Sequence, residues 1–259
     1  MIDLLICNAQ VITVDAQRRV FENGAIAIEG SKILEVGKTE ELLQKYTARR
    51  VLDATHFIVM PGLINCHMHL PQVLMRGIND NVEVMDKLKY YIWPIQGNYD
   101  EEDAYISTQL GLLEMIKAGT TAFLGTGLHP RYGIGTIAQA VIDSGMRGVI
   151  SKYVMDQTGY ALDKSALHPG LWESGEESLQ MACDLIEKWH GKGEGRLQVW
   201  FSPRSVGGVS EELFRRVIDL ARDYGVGITA HWAEVQNNAD YTLERFGLLP
   251  AEYLSLIHI

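Results

Sequence analysis

The sequence predicts an α/β protein built on a parallel (β/α) barrel, with a small β-rich segment ahead of it. Two observations carry that expectation. Between residues 57 and 230, five strand-like runs alternate with four well-marked helices, the rhythm of βα units on a parallel sheet. Histidines also stand at the ends of the first and fifth of these strands, the edge where parallel barrels carry their chemistry. Right-handed crossovers allow an open doubly wound sheet or a barrel. No Gly-x-Gly-x-x-Gly follows the first strand, so the barrel is the better reading.

The first fifty residues read as β-structure. Leu4-Leu5-Ile6 and Val11-Ile12-Thr13-Val14 are short apolar runs, and Ala25 to Ile28 and Ile33 to Val36 flank a hairpin turn at Gly30-Ser31. A short helix is expected over Glu40 to Tyr46. This sheet is too small to bury both faces alone and should pack on something else.

From Phe57 the rhythm changes. Phe57 through Asn65 reads as the first barrel strand. Asp100 to Ala118 has helical spacing, with Ile106, Leu110, Leu113 and Ile116 as its expected buried face. Thr120–Leu124, Arg147–Val154, Leu197–Phe201 and Val226–Ala230 are the following strands. The helices between them run over Gly135–Ser144, Glu176–His190 and from an N-cap at Ser210 through Tyr224. Gly145 and Gly225 terminate two of these helices.

Composition sets outer limits. Of 259 residues, 47% are apolar and 22% charged, which excludes a disordered acidic tail, a collagen-like chain and a disulfide scaffold. The net charge of -10 argues against nucleic-acid or anionic-membrane partners, which attract clustered Lys and Arg. Three scattered cysteines, Cys7, Cys66 and Cys183, fit a reducing compartment. With no basic n-region at Met1-Ile2-Asp3-Leu4 and no apolar run of about 18 residues, a cytoplasmic protein is expected.

The informative segment is Pro61-Gly62-Leu63-Ile64-Asn65-Cys66-His67-Met68-His69. His67 and His69, two apart in extended chain, present both imidazoles to one face. They could take two corners of a divalent-metal site; alone, the pair is as readily two polar residues at a strand end. Gly227 to His231 ends the fifth strand with a third imidazole, and Glu234 follows three residues later. Three protein ligands leave one position for water, the catalytic rather than the structural arrangement. Glu234 could then move a proton from water to a leaving group. Singly, His231 also reads as a helix-cap or pocket histidine and Glu234 as a solvated helix-start carboxylate.

Val59 through His69, Gly119-Thr120-Thr121 and His231-Trp232-Ala233-Glu234 together resemble the amidohydrolase superfamily. The similarity is to the branch of cytosine/guanine deaminases, methylthioadenosine/S-adenosylhomocysteine deaminases and triazine hydrolases. The resemblance implies a (β/α)8 TIM-barrel, metal-dependent hydrolase with a small β-sandwich assembled from both termini. It implies one divalent metal, zinc ahead of iron, held by His67, His69 and His231, with Glu234 as the catalytic proton shuttle. Substrate and water are the implied partners, and dimers are common in the family. The implied reaction replaces a ring amino group with oxygen, with triazine-type hydrolysis as an alternative.

Substrate contacts are read less directly. Gln96, in Trp93-Pro94-Ile95-Gln96, stands where adenosine-type relatives tend to carry glutamate, and Arg204 stands in Ser202-Pro203-Arg204-Ser205. A guanidinium suits an oxo group on a purine, pterin or triazine, and both features weigh against the methylthioadenosine reading. Arg204 reads equally as a rim ion pair. For Gln96 and Trp93 loop packing is the plainer reading, and His129 reads first as a turn histidine. His56, His168 and His190 read as surface residues, and Cys66 as a core residue facing away from the imidazoles.

Against this frame, 1–56 is expected to be part of the sandwich and 57–254 a barrel with about five of eight strands. Residues 255–259 are expected to be a non-native tail without helical context, and His258 no ligand. On this expectation the chain is a C-terminally truncated piece, and an inactive fragment is the non-enzyme alternative.

Overall fold

A computed structural model describes residues 1–258; Ile259, the last residue of the expected tail, lies outside them. The chain divides into two compact units, the first ending at Gly62 and the second beginning at Leu63. The sequence places this boundary six residues earlier, at 56/57.

In the first unit, β1 (Ile2–Ile12), β2 (Val20–Glu29), β3 (Lys32–Lys38), β4 (Ala48–Asp53) and β5 (Ile58–Val59) form one sheet of order β3-β2-β1-β4, with β5 also on β1. The β2–β3 hairpin turns at Gly30, whose φ is +55°, and Gly30 N–H donates to Asp3 Oδ2 at 2.7 Å. Leu4–Ile6 and Val11–Val14, expected as separate runs, belong largely to one strand. Its pairing with β2 shifts register between Ile6 and Val11. Helix α1 (Thr39–Lys45) covers one face, where Leu42 packs with Ile2, Leu5, Cys7, Ala25 and Ala27. A second cluster of Ala9, Val11, Ile26 and Ala54 forms separately.

The expected single strand from Phe57 to Asn65 is two strands in different sheets. Ile58–Val59 pairs with β1, and β6 (Leu63–Met68) starts the second unit's sheet. Pro61 lacks an N–H to donate to a ladder and Gly62 relaxes the backbone, so the interruption falls between them.

The second unit is a parallel sheet of order β6-β7-β8-β9, with β7 at Thr120–Gly125, β8 at Arg147–Val154 and β9 at Leu197–Pro203. Short helices α2 (Val84–Lys87) and α3 (Trp93–Gln96) flank a π-helical turn at Leu88–Ile92. Helices α4 (Glu101–Lys117), α5 (Ile134–Ser144), α6 (Gly175–Trp189) and α7 (Glu211–Tyr224) follow. Ser210 Oγ accepts from Leu213 N at 3.2 Å, and Gly145 and Gly225 end their helices in the left-handed region, as expected. Helices α8 (Gln236–Phe246) and α9 (Pro250–His258) close the chain. The stretch that reads without helical context is therefore helical through residue 258. No helix of the described residues is long and apolar enough to cross a membrane.

Two expectations fail here. Val226–Ala230 is not a full strand: Phe201 and Ile228 form an isolated bridge. Two backbone bonds, Phe201 N to Gly227 O at 3.2 Å and Thr229 N to Phe201 O at 3.0 Å, still hold it beside β9. No ladder extends beyond this single bridge. Helix α4 also buries a different face. Ile106, Leu113 and Ile116 are exposed, while Ala104, Ser107, Gly111, Leu112 and Met115 are buried. Small residues win because the chain at Leu70–Met75 packs close: Ser107 Oγ donates to Leu70 O at 2.8 Å. A Cβ on Gly111 would meet Met68 Cε at 2.9 Å.

Candidate metal centre

The three predicted imidazoles converge. Their ligand nitrogens all lie within 4.8 Å of one another, and their ring centroids are 4.9 to 5.1 Å apart. His67 comes from β6 and is exposed; His69 follows the strand and caps the turn at Leu70–Met75. Thr126 N–H donates to Met68 O at 2.9 Å, tying this strand end to that of β7. Nε2 of His69 and Nε2 of His231 are 3.2 Å apart. A tetrahedral ion with bonds of about 2.0–2.1 Å to nitrogen needs about 3.3 Å between ligand atoms, so the pair fits one. Burial, then the neighbouring imidazoles, push His69 down to about 3, and burial lowers His231. Both rings stay neutral at pH 7, the form that ligates.

His231 and Glu234 are placed by the segment between β9 and α8. Trp232 between them stacks on Phe214 at 5.0 Å and donates Nε1–H to Pro250 O at 2.9 Å. Fully buried Asn238 accepts from the N–H groups of Glu234 and Val235, each at 3.0 Å. That anchors the turn. Glu234 Oε2 accepts a short hydrogen bond from the Tyr160 hydroxyl.

A cavity of about 200 Å³ is lined by the three histidines and Glu234, and also by Trp93, Gln96, His129 and Arg204. Every residue singled out for substrate contact therefore reaches the same space. Arg204, which reads equally as a rim ion pair, has no carboxylate partner among the described residues. Its Nη1 donates to Gly159 O at 2.8 Å, and its buried Nη2 has no partner. The guanidinium lies over the rings of Trp93 (5.0 Å) and Tyr160 (5.8 Å). Burial lowers its pKa to about 10, which leaves it charged at neutral pH. Gln96 is buried and accepts from Gln72 Nε2 at 3.4 Å.

His129 is the turn histidine expected, at the start of the turn Pro130–Tyr132, and it is not at the surface. It is buried, packs edge-on against Tyr132 at 5.6 Å, and its Nδ1 has no partner. Burial, with Arg204 and Lys152 nearby, holds it well below the usual histidine range. Gly127, at φ +71°, makes the approach possible: a Cβ there would fall 2.0 Å from the Tyr153 ring.

Tyr153 and Tyr160 also line the cavity, and neither is among the residues the sequence reading names. Tyr153 sits at the C-terminal end of β8, so the rule that found the histidines could have found it. Tyr160 is in a loop with no pattern to mark it. Cys66 is exposed rather than core, because β6 is an edge strand. His56 and His190 are exposed and His168 is half-buried.

Parallel sheet and convergent imidazoles define an α/β protein with a candidate metal centre at its strand ends. Residues 58–259 match the amidohydrolase family, and residues 24–48 match a bacterial imidazolonepropionase-like composite domain. The chain belongs to the amidohydrolase family. It is 31% identical over 254 residues to a 5-methylthioadenosine/S-adenosylhomocysteine deaminase of Pelotomaculum thermopropionicum, covering 98% of this chain and 54% of the relative. It is 32% identical to a 5'-deoxyadenosine deaminase of Methanosarcina barkeri, covering 95% of this chain and 52% of that protein. The structure of an atrazine chlorohydrolase from Arthrobacter aurescens, solved with zinc, superposes with a TM-score of 0.86 at 25% identity, covering 98% of this chain and 58% of that one. The chain spans about half the length of the curated relatives it matches.

Proposed function

We infer that this chain supplies the metal ligands and the proton-transferring carboxylate of an aminohydrolase acting on an amino-substituted heterocycle. The observation that carries the reading is one cavity holding three convergent imidazoles, Glu234, and two buried polar atoms without partners, Arg204 Nη2 and His129 Nδ1. The donor set fits a single divalent ion, with zinc the leading choice on the chemistry of three imidazoles and iron the alternative. When bound, such an ion lowers the pKa of a coordinated water toward neutrality and polarises the bond under attack.

The residues divide the remaining work. Glu234 accepts a proton from the attacking water and returns it to the departing nitrogen, which leaves as ammonia while the ring keeps the oxygen. Arg204 Nη2 donates to an acceptor on the ring, and its stacking on Trp93 and Tyr160 fixes the direction. Neutral His129 offers Nδ1 as a second polar contact. An oxo-substituted purine, pterin or related base supplies the acceptor Arg204 requires, and Gln96 puts no anion opposite a ribose.

A second reading takes an adenosine-type amine, favoured by the names of the relatives above; a third takes a triazine-type leaving group. Water and a small heterocycle are the partners, and a homodimer follows the family's habit. Three cysteines without disulfides fit a cytoplasmic location. Ammonia release by the zinc-loaded chain is the test, across guanine, 8-oxoguanine, isoxanthopterin, methylthioadenosine, adenosine and a chlorotriazine. Turnover of the oxo-bases ahead of the adenosines supports the leading reading. Adenosine preference selects the second, chloride release selects the third, and silence on every amine overturns the aminohydrolase assignment for this chain.

A further inference from the structure

Tyr160 stands in the loop between β8 and α6, yet it is held as firmly as a core residue. Its N–H donates to Asp163 O at 2.8 Å, and Asp163 N–H returns a bond to Tyr160 O at 3.1 Å. Ala161 N–H donates to Val206 O at 2.8 Å. The preceding carbonyl, Gly159 O, accepts from Arg204 Nη1 at 2.8 Å, and Asp163 pairs with Lys89 at 2.5 Å. The Tyr160 ring packs on Trp93 at 5.7 Å with the Arg204 guanidinium over it. With backbone and ring both fixed, the hydroxyl has one place to go, and it donates to Glu234 Oε2.

We propose that Tyr160 is a positioning residue for Glu234: its hydroxyl holds one carboxylate oxygen so that the other faces the cavity shared with the three imidazoles. The role rests on the functional reading above but is readable without turnover. Glu234 lies on a turn between β9 and α8, and its side chain has enough rotamers to leave the cavity. A donor fixed from a different loop removes that freedom. Because the same ring carries the Arg204 guanidinium, substrate contact and proton transfer share one support.

The test compares the chain with its Y160F variant, which keeps the ring and its stacking and removes only the hydroxyl. With glutamate labelled at the carboxyl carbon and the Glu234 resonance assigned by its loss in E234Q, the two proteins are compared by NMR at neutral pH with and without zinc. The expected result is a sharp Glu234 resonance that moves or broadens in Y160F while the other glutamate resonances stay in place. A Glu234 resonance unchanged in position and width overturns the proposal. Should Y160F fail to fold, the reciprocal measurement follows the Tyr160 hydroxyl proton, which should be downfield and slow to exchange in the unaltered chain and lose both features in E234Q; no change again overturns the proposal. A chain silent on every amine sinks the functional reading while leaving this readout intact, so the two failures are distinguishable.

Discussion

Nε2 of His69 lies 3.2 Å from Nε2 of His231, although 162 positions separate them in the chain. Two neutral imidazoles gain little from such an approach in water, and their mutual effect when charged is repulsive. The contact is held by the surrounding backbone: β6 and the cap at Leu70–Met75 on one side, Trp232 and Asn238 on the other. The arrangement is a preformed ligand set, and it has consequences that can be measured.

The first concerns acid stability. His69 is pushed down to about 3, and His129 and His231 are also lowered, chiefly by burial. Below about pH 6.5 the unfolded chain binds protons at these positions that the folded chain refuses, so stability falls as pH falls. For fully buried His129 alone the slope is about 1.4 kcal/mol per pH unit. Glu173, raised by burial, works in the opposite direction. Thermal melting of the metal-free chain should therefore drop steadily from pH 7 to pH 5, and H129N should flatten that slope. A midpoint independent of pH over this window would show that the rings are not held neutral.

The second concerns Lys152. Its Nζ has no exposure, pairs with Glu173 Oε2 at 2.6 Å and donates to Tyr153 O at 2.5 Å and Ser178 Oγ at 3.3 Å. Burial drives Lys152 down and Glu173 up, each partner pulling the other back. Removing one member strands the other, so E173Q should cost about 3–5 kcal/mol. The apolar pair K152M/E173L should recover most of that loss. Urea denaturation of the three proteins decides it; equal losses in E173Q and the double variant would contradict the account.

How much of this was legible in advance follows from what each signal depends on. Helix ends rest on local chemistry, so Ser210, Gly145 and Gly225 mark them correctly. His67, His69, His231 and Glu234 are found because strand ends in a parallel sheet gather on one side, whatever the details between them. What escapes depends on neighbours. Phe57 to Asn65 reads as one apolar run, and only the choice of two different sheets splits it. Val226–Ala230 has strand composition but holds only one bridge and two backbone bonds beside β9. The buried face of α4 is set by how closely Leu70 approaches Ser107, which hydrophobicity does not encode. Tyr160 is invisible because a loop aims it.

The third prediction concerns β6, an edge strand among the described residues. Leu63 and Ile64 on it are 54% and 68% exposed, an unpaired apolar edge of the kind that recruits further strands. Replacing both, as L63T/I64K, should reduce self-association in sedimentation velocity. A monodisperse, cooperatively melting unaltered chain would contradict the expectation.

The central claim is that His67, His69 and His231 hold one metal while Glu234 stands beside it. Zinc binding by isothermal titration tests this most directly, using the unaltered chain, H231A and E234Q. The account predicts one zinc per chain, an affinity at least about 100-fold weaker in H231A, and a near-normal affinity in E234Q, since removing a ligand costs more than altering the ligand's surroundings. Undiminished binding in H231A, or equal losses in H231A and E234Q, would contradict it.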